Sequence, residues 1–141
     1  MTFQVNPFIM LDGNAKEAIR FYETSLDAKV VFTQTFGEAP EDPAHPVPDE
    51  AKDRVAHSVL KIGDAELFVA DSFPGKSNST GGPVQICITT PDTETSNRFF
   101  DALKQGGQVI LPLQKIYFSP AYGVVTDPFG VTFQIFTRRQ G

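Results

Sequence analysis

The sequence contains no tryptophan, one cysteine, two histidines and two methionines. A single thiol, Cys87, cannot close an internal disulfide, and no cysteine cluster of the kind that holds zinc is present. A reducing cytoplasm is therefore the expected setting. Basic residues are outnumbered, 12 Lys and Arg against 17 Asp and Glu, for a net charge of -5. An acidic surface repels phosphate backbones, which argues against a nucleic-acid partner. The one basic cluster, Arg138–Arg139, lies at the end of the chain. No apolar run approaches the roughly 20 residues that a membrane span needs. Met1 to Asn6 shows no basic cluster followed by an apolar stretch, so no secretory signal is visible. Ser-His-Asp spacing, a phosphate-cradling glycine loop and a paired-carboxylate motif are also missing.

What remains is an ordinary globular balance, 40% apolar and 21% charged over 141 residues, which suits one α+β domain with a sizeable core. Phenylalanine is abundant, at 13 residues. Most of these rings must be core, and a few are candidates for lining an apolar ligand pocket. The run Phe3 to Leu11 reads as a strand. Val5, Ile9 and Leu11 share one of its faces; Asn6, Phe8 and Met10 share the other. Asp12-Gly13-Asn14 is a turn, with Asn14 a candidate helix N-cap and Glu17 in the capping-box position. Ala15, Ala18, Ile19, Tyr22 and Leu26 form a helical stripe that should stop near Asp27. Strands follow at Lys29 to Phe36, Arg54 to Ile62 and Glu66 to Ala70. Between the first two lies an acidic, proline-rich loop, Gly37 to Asp53, of the length used for lids and binding loops.

After a Gly/Ser-rich linker the pattern restarts. Pro83 to Thr90 is a strand, Asp92 caps a helix bearing Phe99, Phe100, Ala102 and Leu103, and Gly106-Gly107 ends it. Gln108 to Leu111, Tyr122 to Thr126 and Val131 to Thr137 complete a second set of strands. The helices share Arg20-Phe21-Tyr22 and Arg98-Phe99-Phe100, offset by 78 residues. Duplication of one unit is the natural reading. The single domain 1–141 then comprises module one at about 1–72, a linker at about 73–82 and module two at about 83–141, with the working site in the cleft that the modules enclose.

Gly13-Asn14-Ala15-Lys16-Glu17-Ala18-Ile19-Arg20-Phe21-Tyr22 resembles the first helix of the PhnB-like branch of the vicinal oxygen chelate superfamily. That superfamily includes glyoxalase I, the fosfomycin and bleomycin resistance proteins and extradiol dioxygenases. Ile62-Gly63-Asp64 leading to Ala70-Asp71-Ser72 is similar to the same branch. So are Phe99-Phe100-Asp101-Ala102-Leu103 ahead of Gly106-Gly107, Pro112-Leu113, and Tyr122-Gly123-Val124-Val125-Thr126-Asp127-Pro128-Phe129-Gly130-Val131. The resemblance spans essentially the whole chain. It implies two βαβββ modules forming a curved, cup-like mixed sheet, the glyoxalase/bleomycin-resistance fold, in a homodimer. It also implies a site to which the first and last strands of each module contribute one side chain apiece, usually His, Glu or Gln around a divalent metal.

Carried onto this sequence, those positions are Asn6, Phe68, Gln85 and Gln134, and the face parity of the four strands agrees. The set holds no histidine and no carboxylate, and Phe68 cannot bind a metal. Three neutral amides would hardly repay dehydration of a divalent ion. The expectation is therefore a small organic ligand, held without a tight metal by Asn6, Phe8, Phe68, Gln85, Cys87, Gln134, Phe136 and Tyr122. The competing expectation is a divalent-metal lyase, isomerase or resistance-type transferase using Gln85, Gln134 and a displaced ligand such as His57 or Glu66.

Those two residues are also the catalytic candidates. His57 would serve as a general base, or is simply a strand-edge histidine bonded to backbone. Glu66 would serve in acid/base chemistry, or is a solvated glutamate at a hairpin end. Cys87 is a cavity-face thiol with no activating cation nearby in sequence. His45 reads as solvated in its loop. Tyr117 and Tyr122 either cover the pocket mouth or are ordinary packing.

Overall fold

The computed structural model describes residues 4–73 and 84–139. The chain divides into two compact units, Met1–Ser79 and Thr80–Gly141, each built as strand, helix and three strands. The expected linker at about 73–82 falls almost wholly outside the described residues.

In the first unit, β1 (Phe8–Leu11) leads to α1 (Ala15–Ser25), then β2 (Lys29–Thr35), β3 (Val55–Ile62) and β4 (Ala65–Asp71). The sheet order is β1-β4-β3-β2, with β1 parallel to β4 and the other pairs antiparallel. The second unit repeats this with β5 (Ile86–Thr90), α2 (Thr93–Leu103), β6 (Gln108–Ile116), β7 (Ser119–Thr126) and β8 (Thr132–Thr137), in the order β5-β8-β7-β6. Both helices have 11 residues, and the shared tripeptides occupy the same place in each. Tyr22 and Phe100 are therefore equivalent, and each is buried beneath its own sheet. Burial of one helix stripe on one sheet face supplies most of the driving force, at about 25 cal/mol per Å² of apolar surface.

The equivalence extends to irregularities. The β2–β3 register shifts between Val30 and Phe32, and the β6–β7 register shifts between Val109 and Leu111. Each shift falls in a strand at the edge of its sheet and leaves one β-branched residue, Val31 or Ile110, exposed.

Several local expectations are corrected. The first strand starts only at Phe8, because Pro7 offers no ladder donor, although its carbonyl still accepts from the Phe68 N–H. Val5 and Val84 precede their strands and are exposed, so their apolar parity goes unused. Asn14 occupies the N-cap position of α1 but makes no side-chain cap. Asp71 does that work from the end of β4: its Oδ1 accepts from the N–H groups of Gly13 (2.7 Å) and Ala15 (3.0 Å). Its Oδ2 accepts from Val55 N–H at 3.0 Å. Arg54 reinforces the same turn through Asp12 at 2.9 Å. Asp27, with φ of 56°, turns the chain out of α1.

In the second unit Asp92 caps α2 as expected, accepting from Thr95 N–H at 2.7 Å. The stretch between Leu111 and Tyr122, outside the expected strands, is mostly strand. Strand β6 runs through Pro112 to Ile116 and turns at Tyr117-Phe118 into β7, which starts at Ser119. An edge strand tolerates proline because one side of its ladder is empty. The position equivalent to Asp71 is Thr137. Its hydroxyl donates to Ala121 C=O at 2.7 Å and bonds the Ser96 hydroxyl of α2 at 2.6 Å. A neutral, buried hydroxyl cluster here replaces the carboxylate that ties sheet to helix in the first unit.

The loop from Gly37 to Asp53 closes on itself. Phe36 N–H donates to Arg54 C=O and Gly37 N–H to Lys52 C=O, both at 2.9 Å, and a single 3-10 turn covers Asp49–Ala51.

Candidate functional site

Alternation along β8 decides which side chains are available. Phe133, Ile135 and Thr137 are buried on the helix side; Thr132, Gln134 and Phe136 lie on the open side. In register with them are Cys87 beside Gln134, and Thr89 and Tyr122 on either side of Phe136. On this open face three side chains form a directed chain. The Tyr122 hydroxyl donates to Gln134 Oε1 at 2.8 Å, and Gln134 Nε2 donates to Gln85 Oε1 at 3.0 Å. Next to it is an aromatic group. Phe118 stacks on Phe136 with centroids 5.9 Å apart and planes 13° apart, and meets Tyr122 edge-on at 5.1 Å. The hydroxyls of Thr126 and Thr132 bond each other at 2.8 Å. Cys87 is exposed, and no cationic partner for it is seen among the described residues.

The first unit carries the matching positions with different chemistry. Phe8 pairs with Phe68 in the same parallel register that pairs Cys87 with Gln134. Phe68 therefore stands where Gln134 stands in the second unit. Asn6, just before β1, corresponds to Gln85, and its Nδ2 donates to the Glu66 carbonyl at 3.2 Å. Phe8 meets Phe68 edge-on at 5.9 Å. His57 lies between two phenyl rings, with centroids 5.8 Å from Phe68 and 5.8 Å from Phe32. This face is thus aromatic where the other is amide-rich.

Each unit brings its own pair of expected positions together, Asn6 with Phe68 and Gln85 with Gln134. The two catalytic candidates are not a pair. Glu66 lies opposite Lys61, and His57 is four residues further along β3, roughly 13 Å away at strand spacing. His45 is bound within its loop, its Nδ1 3.0 Å from Asp42 Oδ2, and that bond is the main reason the Asp42 carboxyl sits below its usual range. Tyr117 is almost fully exposed, whereas Tyr122 belongs to the amide chain.

Sequence reading missed Phe32 and Phe118. Phe118 lies in a tight turn, where no periodicity assigns a face. Phe32 follows the register shift in β2, which breaks simple alternation.

The donor set does not fit a divalent ion. To coordinate one, both glutamines would have to present Oε1, but Gln134 Oε1 faces the Tyr122 hydroxyl and Gln85 Oε1 faces the Gln134 amide nitrogen. Among the described residues no group of three or more His, Cys, Asp and Glu is placed to hold a metal.

The model of the Glyoxalase/Bleomycin resistance protein/Dioxygenase superfamily matches residues 4–135. The chain is 28% identical to Protein YjdN of Escherichia coli K12 over 138 residues, covering 93% of this chain and 92% of that one. Protein PA1353 from Pseudomonas aeruginosa superposes with a TM-score of 0.88 at 27% identity, over 99% of this chain and 100% of that one. A PhnB protein from Bacillus cereus shares the fold, with a TM-score of 0.78 at 24% identity, over 96% of this chain and 99% of that one.

Proposed function

Because the chain belongs to the Glyoxalase/Bleomycin resistance protein/Dioxygenase superfamily, we propose that it is a PhnB-like small-molecule binding protein that takes an organic ligand without a tightly bound metal. The observation that carries this reading is the Tyr122–Gln134–Gln85 chain, which turns both glutamine oxygens toward hydrogen bonds inside the protein. Stacked rings beside a few oriented polar groups are the composition of organic-ligand sites. Cys87 and Phe136 complete the proposed ligand-facing set of the second unit, and Asn6, Phe8 and Phe68 form the matching proposed set of the first.

Elemental analysis of freshly purified protein tests the reading. Metal well below one equivalent per chain, with no gain in melting temperature on adding Mn²⁺ or Ni²⁺, is the expected result. Stoichiometric metal that survives dialysis would overturn it in favour of the divalent-metal lyase, isomerase or transferase class. A homodimer belongs to the same proposal, supported by the exposed apolar residues Val30, Val31, Val109 and Ile110 on strands at sheet edges. Light scattering tests it, and a monomeric mass would remove it.

A further inference from the structure

The amide chain of the second unit has a polarity, and that polarity selects a ligand. Tyr122 donates its only hydroxyl proton to Gln134 Oε1. Gln134 is thereby turned so that its nitrogen donates to Gln85 Oε1. At the end of the chain stands the Gln85 amide nitrogen, which donates to no described residue and belongs to an exposed side chain. Reversing any one amide would set oxygen against oxygen or nitrogen against nitrogen, so the three groups turn together. No lysine or arginine among the described residues bonds to any member. Arg138 follows the far end of β8, four residues and roughly 13 Å from Gln134, and the Arg139 guanidinium donates to the Tyr117 carbonyl rather than to the amides. The free donor is therefore neutral, and neither group it is linked to through the chain carries a charge. The Phe118–Phe136 stack stands on the same face, with Tyr122 edge-on against it.

We propose that this face recognises flat, neutral carbonyl compounds, with the carbonyl oxygen accepting from Gln85 and the ring system lying against Phe118 and Phe136. Tyr122 is a positioning residue: by donating to Gln134 Oε1 it favours the orientation in which Gln134 turns its nitrogen, not its oxygen, to Gln85. The proposal rests on the metal-free ligand reading and adds to it the chemical class of the ligand.

The test uses 9-fluorenone and fluorene, the same ring system with and without the carbonyl, titrated into ¹⁵N-labelled full-length protein. The expected result is a shift of the Gln85 side-chain amide resonance with the ketone alone, and an affinity for the ketone about five- to tenfold above the hydrocarbon, as one net hydrogen bond gives. Tyr122→Phe should bring the ratio of the two affinities close to one, a ratio in which any change in ring binding common to both compounds cancels. Gln85→Leu, at an exposed position ahead of β5, should do the same and carries the test if the tyrosine variant fails to fold. Equal binding of both compounds with an unmoved Gln85 resonance overturns the donor assignment, and failure of both to bind overturns the ligand class. A ketone preference that survives Tyr122→Phe overturns the positioning role. Metal analysis of the same sample decides the underlying metal-free reading separately.

Discussion

Asp71 offers the sharpest test of how the first unit holds together. Its carboxylate is buried at the end of β4 and accepts from three backbone N–H groups, those of Gly13, Ala15 and Val55. It therefore joins three elements: the turn after β1, the first residue of α1 and the first residue of β3. Gly13 is exposed and can turn to water, but Ala15 and Val55 are fully buried and cannot. Asp71→Ala leaves those two donors without partners. At about 1.5–3 kcal/mol for each bond to a charged group, the loss is about 3–6 kcal/mol. Asp71→Asn keeps one acceptor oxygen but turns an amide nitrogen toward either the Val55 N–H or the pair on α1. It should cost about 1.5–3 kcal/mol, one such bond. Against a typical domain stability of about 5–15 kcal/mol, the alanine variant should be close to unfolding. Urea denaturation followed by circular dichroism measures the ranking, Ala worse than Asn worse than wild type. Hydrogen exchange at the Ala15 and Val55 amides localises it, since both should lose protection in the alanine variant. If both variants kept wild-type stability to within about 0.5 kcal/mol, the level of an ordinary surface change, the claim that this carboxylate ties sheet to helix would be wrong.

Two further outcomes follow from the same geometry. A Cβ placed on Gly123 would lie 2.7 Å from Phe100 Cε1 and 3.0 Å from both Leu111 O and Leu113 Cα; Gly123→Ala should therefore destabilise by about 1–3 kcal/mol in urea denaturation, and an unchanged midpoint would show that the helix and β6 can give way. The bond from Thr95 N–H holds the Asp92 carboxyl below its ordinary 3.8, so its contribution to stability is complete above that value and is lost as pH falls through the lower folded-state value; Asp92→Asn should keep the cap but flatten this acid-side slope in a melting temperature series, and an unchanged slope would assign the acid sensitivity elsewhere.

The fold was legible because periodicity and punctuation are local. Alternation in Glu66 to Ala70 and Val131 to Thr137, the stripe Ala15, Ala18, Ile19, Tyr22, and the stop at Gly106-Gly107 each report one element from its own residues. The repeated Arg-Phe-Tyr and Arg-Phe-Phe then showed that one unit occurs twice. Face parity placed Gln134 with Phe136 and set both apart from Phe133 and Ile135, so much of the candidate site was also visible. The extent of β6 was not, because Pro112 reads as a breaker unless its strand is known to lie at an edge.

Tertiary structure decided what those residues do to one another. Asn14 carries every local mark of a helix cap, yet the cap comes from Asp71, which is distant in the chain and reaches the turn only because β4 pairs with β1. The sequence places glutamines at 85 and 134 and a tyrosine at 122. It cannot say that the tyrosine donates to one amide and that amide to the other, because hydrogen-bond direction depends on which groups face each other after three strands have aligned. The absence of histidine and carboxylate from the expected metal positions was a property of the sequence alone. That Gln134 is directed at Gln85, and Asn6 at the Glu66 carbonyl, belongs to the folded sheets.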